Sequence, residues 1–153
     1  MVISGVGYSR PKCIRGGRVF QIPCFHTVSK LRMNIMTLQV HSVDVNCATG
    51  VNITLNGVAQ VKINGADKGN LNLACQHFLD MKEDEMNEIL TRTMEGHQRS
   101  IISTMSVEEV FRDRIKFAER VHEVASIDLM KMGIQIVSYT LSSVTTSNGY
   151  SKF

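Results

Sequence analysis

Along this chain apolar residues first alternate with polar ones and later recur every three or four positions, so strands are predicted to give way to helices. Val51, Ile53, Leu55, Gly57, Ala59, Val61 and Ile63 share one parity, with Asn52, Thr54, Asn56, Gln60 and Lys62 on the other and Val58 as the exception. That is the period of a strand with one face on a core. Before it, Met36, Leu38 and Val40 alternate on even positions, then Val43, Val45 and Cys47 on odd ones. A β-bulge near His41-Ser42 accounts for the change of phase. Ala48-Thr49-Gly50 is short enough to close the two runs into a hairpin.

Helical spacing follows Asn64-Gly65. Asp67 can cap a helix that places Leu71, Ala74, Cys75 and Phe78 on one side. A second helix is expected to start near Glu83-Asp84, with Met86, Ile89, Leu90, Thr93, His97 and Ile101 inward. Ser106 to Glu109 fits a capping box, in which hydroxyl and carboxylate each satisfy the other residue's backbone N–H. The helix it opens carries Val107, Val110, Phe111, Phe117, Ala118, Val121 and Val124 on roughly one face, and should stop near Met132-Gly133, where glycine suits a left-handed cap. Ile134 to Leu141 reads as a strand that rejoins the sheet. Strands, then helices, then a returning strand predict an α+β fold, an antiparallel β-sheet packed against helices.

At 153 residues the chain suits one domain with a sizeable core, and its 43% apolar content is ordinary for a globular protein. Its longest apolar runs fall well short of the ~18 residues a transmembrane helix needs. The start, MVISGVGYSRPKC, lacks the apolar block of a signal peptide, and Val2 stands where N-myristoylation needs glycine. Cys13, Cys24, Cys47 and Cys75 are spaced too widely for a zinc knuckle or a redox pair, and a reduced cytosolic setting is expected. The Asn52-Ile-Thr54 sequon is accordingly expected to be bare.

The net charge of +3 hides an asymmetry. Residues 1–65 hold seven Lys/Arg against the single acid Asp44, a net charge of +6, whereas residues 66–153 hold ten basic and thirteen acidic residues. An anionic partner on the N-terminal side is the natural consequence. From Arg10 to Arg32 there are six cations (Arg10, Lys12, Arg15, Arg18, Lys30 and Arg32) and no acid, bracketing the apolar run Val19 to Phe25. Phe20, Ile22 and Phe25 could dip into a bilayer interface while the cations meet anionic headgroups, each worth about 1 kcal/mol. Pro23 interrupts any regular element, which puts Cys24 at an edge or turn. Read from the residues alone, an edge strand with a structural cysteine is the commoner meaning of such a run; a surface cysteine beside grease and positive charge is also a site for S-palmitoylation.

Other chemistry finds little support. Gly5-Val-Gly-Tyr-Ser-Arg10 begins like a dinucleotide loop, but Arg10 replaces its third glycine and Pro11 blocks the helix it needs. Cys75 and His77, two positions apart, point in different directions on a helix and cannot share a metal. Glu95-Gly-His97 lacks the second histidine of a zinc-protease helix, so His97 is read as a hydrogen-bonded core histidine. No Ser-, Cys- or carboxylate-based catalytic signature appears. Arg112, Lys116 and Arg120 are interrupted by Glu108, Asp113, Glu119 and Glu123, which makes a solvated helix face rather than a nucleic-acid stripe. The nine methionines are read as core gap-fillers. No enzyme activity, cofactor, metal or nucleic-acid partner is expected.

Several separated runs carry a resemblance. Glu95-Gly-His-Gln-Arg-Ser100 followed by Met105-Ser-Val-Glu-Glu-Val-Phe-Arg-Asp-Arg114, together with Gly16 to Phe20, Pro23-Cys24, Gly57 to Ile63, Met132-Gly-Ile134 and Ser138 to Leu141, is similar to the flotillin (reggie) family of the band 7, or stomatin/prohibitin/flotillin (SPFH), superfamily. The resemblance implies a band 7-type domain over residues 1–144, with 1–32 as its basic membrane-contacting segment. It places the acyl cysteine of one flotillin branch at Cys24, with Cys13 a weaker second candidate.

The same resemblance implies a membrane-peripheral scaffold on the cytosolic leaflet of the cell membrane and on endosomes. Such a scaffold organises cholesterol-rich, caveola-like microdomains and takes part in endocytosis and signalling. Its implied partners are anionic membrane, other flotillin chains in homo- or hetero-oligomers, and cortical actin. A soluble protein-interaction module without membrane binding of its own is the alternative. Past Leu141 the chain departs from the flotillin pattern: SSVTTSNGYSKF is polar and without heptads, residues 145–153 are expected to form a polar tail, and the family's coiled coil is not carried over.

Overall fold

A computed structural model of the chain describes residues 34–79 and 81–146 in full and, before them, the backbone of the strands at 2–5, 12–13 and 26–29. Strands β1 (Val2–Gly5), β2 (Lys12–Cys13) and β3 (His26–Ser29) form a small antiparallel sheet in the order β2-β1-β3. The main sheet has the order β4-β5-β6, from Met36–Asn46, Asn52–Ile63 and Ile134–Thr146, also antiparallel. Between β5 and β6 run α1 (Lys68–Phe78), α2 (Glu83–Thr104), α3 (Val107–Arg112) and α4 (Arg114–Lys131). The α+β architecture expected from the sequence is the one observed.

Strand β5 alternates as its sequence dictates, with Ile53, Leu55, Gly57, Ala59, Val61 and Ile63 all buried. Facing them, α2 lies chiefly over β4 and α4 over β6. Phe117, Val121, Ala125 and Leu129 of α4 and Leu90, Met94 and Ile102 of α2 are fully enclosed. Burying each of these side chains other than Ala125 removes enough apolar surface to contribute about 1.5–3 kcal/mol. Asp67 caps α1 by accepting from the Gly69 N–H, and Leu71, Ala74, Cys75 and Phe78 face inward as the spacing required. The capping box at Ser106 and Glu109 is complete, and the Ser106 N–H holds the Glu109 carboxyl below the ordinary carboxylate range.

Five local expectations are corrected. The bulge in β4 falls between Ser42 and Val45, one step later than predicted: Ser42 stays on the buried parity, Val43 is 59% exposed, and Asp44 takes a positive φ of 49°. The odd set turns inward only afterwards, with Val45 half-buried and Cys47 buried. Helix α2 is rotated from its predicted phase. Its buried stripe is Met86, Leu90, Met94, Gln98 and Ile102, while Ile89 is exposed and Thr93, His97 and Ile101 are half-buried.

The predicted helix after Ser106 is two helices, because Asp113 (φ −120°, ψ 63°) leaves helical geometry and ends α3 as it begins α4. Val124 is consequently exposed, and Ala125 and Leu129 take the core positions. The last strand runs to Thr146 rather than Leu141. Two extra residues, Val137 and Ser142, bulge out of its pairing with β5, so its buried residues fall at Ile134, Ile136, Tyr139, Leu141 and Val144 rather than in strict alternation. Met36, Met86, Met94 and Met105 fill the core as read, but Met81 and Met130 are exposed.

Candidate membrane-contacting segment and its support

Of the residues predicted to meet a membrane or to carry an acyl chain, Lys12 and the weaker acylation candidate Cys13 lie within β2, where Lys12 pairs with Ile3 and Cys13 with Val2. Arg10, Arg15, Arg18, Phe20, Ile22, Cys24, Phe25, Lys30 and Arg32 lie outside the described residues. The chain positions on either side of the Cys24 segment are nevertheless placed. Cys13 and His26 stand on opposite edges of β1, His26 opposite Gly5.

The cysteines of the main domain are poor targets for acylation. Cys47 and Cys75 are both buried, and burial pushes the Cys47 thiol up, away from the reactive thiolate. Cys75 and His77, excluded as a metal pair, are core and surface respectively. Among the described residues no helix is long and apolar enough to cross a membrane, and no group of three or more His, Cys, Asp or Glu could hold a metal ion. Arg112, Lys116 and Arg120 are exposed, the solvated face expected. His97 is half-buried between helices, its Nε2 3.3 Å from Asp128 Oδ2 across the α2–α4 contact, and Lys131 hydrogen-bonds the same carboxylate and holds it low.

One buried polar network went unforeseen. The Tyr139 hydroxyl donates to Gln98 Oε1 at 3.1 Å, and Gln98 Nε2 reaches the Leu55 carbonyl at 3.4 Å. Gly57 makes room for it, since a Cβ there would stand 2.6 Å from the Tyr139 hydroxyl oxygen. Burial pushes the Tyr139 phenol far up, so it stays a donor. Three of the runs that carry the family resemblance thus meet at one point: Gly57 to Ile63, Glu95 to Ser100 and Ser138 to Leu141. Tyr139→Phe strands the Gln98 carbonyl and should cost about 1–2 kcal/mol in urea unfolding. Combined with Gln98→Leu, the loss should fall short of the sum of the two single losses, because the residues share one network.

Beside this network a groove of about 490 Å³ opens between α4 and β6, lined in part by Arg114, Ile115, Ala118, Tyr139 and Leu141. The apolar pattern of the sequence does not reveal it, because the groove depends on how α4 settles on the strand that follows it, which no local period records.

Residues 2–152 match the SPFH domain / Band 7 family. The chain belongs to that family. This band 7 chain is 47% identical over 150 residues to flotillin-1 of Homo sapiens and of Mus musculus, and 45% identical to flotillin-1 of Drosophila melanogaster. Each alignment covers 98% of the chain but 35% of the relative, so the chain spans about a third of the length of the curated relatives it matches. The flotillin resemblance read from the quoted runs agrees with these comparisons.

Proposed function

We propose that this band 7 domain is a membrane-peripheral, non-enzymatic scaffold of the flotillin type. Its body runs to the end of β6 at Thr146, two residues into the tail expected from 145, and the basic 1–32 segment lies against the cytosolic leaflet. The observation that carries the reading is the +6 charge gathered in residues 1–65 of a chain 47% identical to flotillin-1. Arg15, Arg18, Lys30 and Arg32 meet anionic headgroups while Phe20, Ile22 and Phe25 enter the interface. An acyl chain on Cys24 adds about 0.8 kcal/mol per buried CH₂, which with the basic patch makes a two-signal anchor. The scaffold associates with other flotillin chains, gathers cholesterol-rich microdomains at the cell membrane and endosome, and serves endocytosis, signalling and cortical actin from there.

Flotation of the unacylated chain with vesicles tests the electrostatic half. Binding should require anionic lipid and weaken at least tenfold as salt rises from about 0.05 to 0.5 M, since the Debye length shortens over that range. Equal recovery with neutral vesicles, or no binding at low salt, removes the basic segment from the reading.

A further inference from the structure

We propose that Asn64-Gly65, the turn between β5 and α1, is a self-modifying site: Asn64 loses its amide through a succinimide and becomes aspartate or isoaspartate, which loosens α1 from the body of the domain. The inference is independent of the scaffold reading and of any membrane.

The chain holds Asn-Gly at 56–57, 64–65 and 148–149, the last outside the described residues. Glycine after asparagine leaves the next peptide nitrogen unshielded by a side chain and its backbone free to turn. In the reaction the Gly65 nitrogen gives its proton to hydroxide and bonds to Asn64 Cγ, closing a succinimide ring. The Cγ–Nδ2 bond breaks, and the amide nitrogen leaves as ammonia with a proton from water. Water then opens the ring at either carbonyl, giving aspartate or isoaspartate, whose backbone runs through Cγ. No oxidant or reductant takes part.

The two described copies of the dipeptide stand in opposite settings. Asn56 and Gly57 lie inside β5, laddered to His41 and Val40 on one side and to Ser143 and Leu141 on the other. Both ends of the Asn56 amide are held: Oδ1 accepts from His41 Nδ1 and Nδ2 donates to Ser143 Oγ, each at 2.9 Å. Those bonds draw the side chain across the neighbouring strands and away from the Gly57 nitrogen. Asn64 instead follows the last residue of β5 and is half-buried. Its Oδ1 accepts from the Ala66 N–H at 3.2 Å, which folds the amide back over the Gly65 peptide. The same N–H donates to the oxygen on which charge gathers as the ring closes, so it favours the transition state. The Gly65 N–H is bonded to the Ile63 carbonyl two residues back, at 3.0 Å, rather than to a neighbouring strand.

The turn is also a joint. The Asn64 N–H donates to the Gly133 carbonyl at 2.9 Å, just ahead of β6, and Asp67 caps α1. Isoaspartate lengthens the backbone by one carbon between that anchor and that cap. Helix α1 then loses its seat on the core, and Leu71, Ala74, Cys75 and Phe78 begin to meet water.

Peptide mapping by mass spectrometry of the purified 153-residue chain, aged in warm, mildly alkaline buffer, scores each Asn-Gly separately. Asn64 should deamidate about tenfold faster than Asn56 in the folded chain, and the two rates should converge in urea, where neither setting survives. The Asn64 peptide should accept methyl groups from S-adenosylmethionine through an isoaspartyl methyltransferase. The isoaspartate-bearing fraction should melt earlier than unaged chain, and alkylation should reach its Cys75 thiol faster. Asn64→Asp, which installs the charge without the extra carbon, should keep the melting and the Cys75 protection of wild type. Equal rates for Asn64 and Asn56 in the folded chain, or a difference undiminished in urea, would overturn the site. An isoaspartate chain that melts as wild type does with Cys75 still sealed, or one matched by Asn64→Asp, would overturn its effect on α1.

Discussion

Gly133→Ala should unfold this domain about 10 °C earlier than wild type, a loss of roughly 3 kcal/mol. Two causes add. Gly133 has a φ of +75°, a conformation that costs an L-residue about 1–2 kcal/mol. Its missing Cβ also leaves space that α1 occupies: the added carbon would press on the Asn70 carbonyl and on the backbone nitrogen and Cβ of Ala74. The nearest two of these atoms are helical backbone, which cannot swing aside as a side-chain tip can. Gly50 supplies the control, having a similar φ of +79° and nothing within 4 Å of its position. Gly50→Ala should cost only about 1 kcal/mol. Thermal melts of the two variants check this directly, and equal losses would show that the α1 contact contributes nothing.

The second large effect concerns the membrane. Cys24→Ser should abolish most palmitate labelling in cells and reduce the membrane-bound fraction at least tenfold, since one acyl chain and one basic patch each bind weakly alone. Cys13→Ser should leave most of both. The buried cysteines serve as internal references, as Cys47 and Cys75 lie inside the core and should take no label. Retention of full label and full membrane fraction by Cys24→Ser would end the acylation assignment while leaving the salt-dependent docking intact.

What could be read from the sequence was what neighbouring residues decide among themselves. The β5 alternation, the Asp67 cap, the Ser106 capping box and the inward face of α1 each depend on residues within a few positions, and each is where the pattern put it. The misjudged features depend on distant partners. Gln98 reads as a surface residue until Tyr139 and Leu55 supply its hydrogen bonds, and once it is buried the whole of α2 turns with it. The break at Asp113 is hidden because apolar spacing continues through it. The bulges of β6 are set by pairing with β5, which no local period records. Legibility also differed between features: the charge asymmetry and Pro23-Cys24 stand in the primary sequence, whereas the groove between the consecutive elements α4 and β6 exists only once they pack on one another.

The order β4-β5-β6 governs how the domain is born. Strand β5 meets β4 across a tight turn but receives β6 only after all four helices have been synthesised. Long-range closure of this kind is slow, and it leaves nascent hairpins open to wrong partners. The Asn, Gln, Thr and Lys side chains on the outward parity of β5 keep one face of that hairpin wet during the wait. The other face is covered by the helices, α2 chiefly over β4 and α4 over β6.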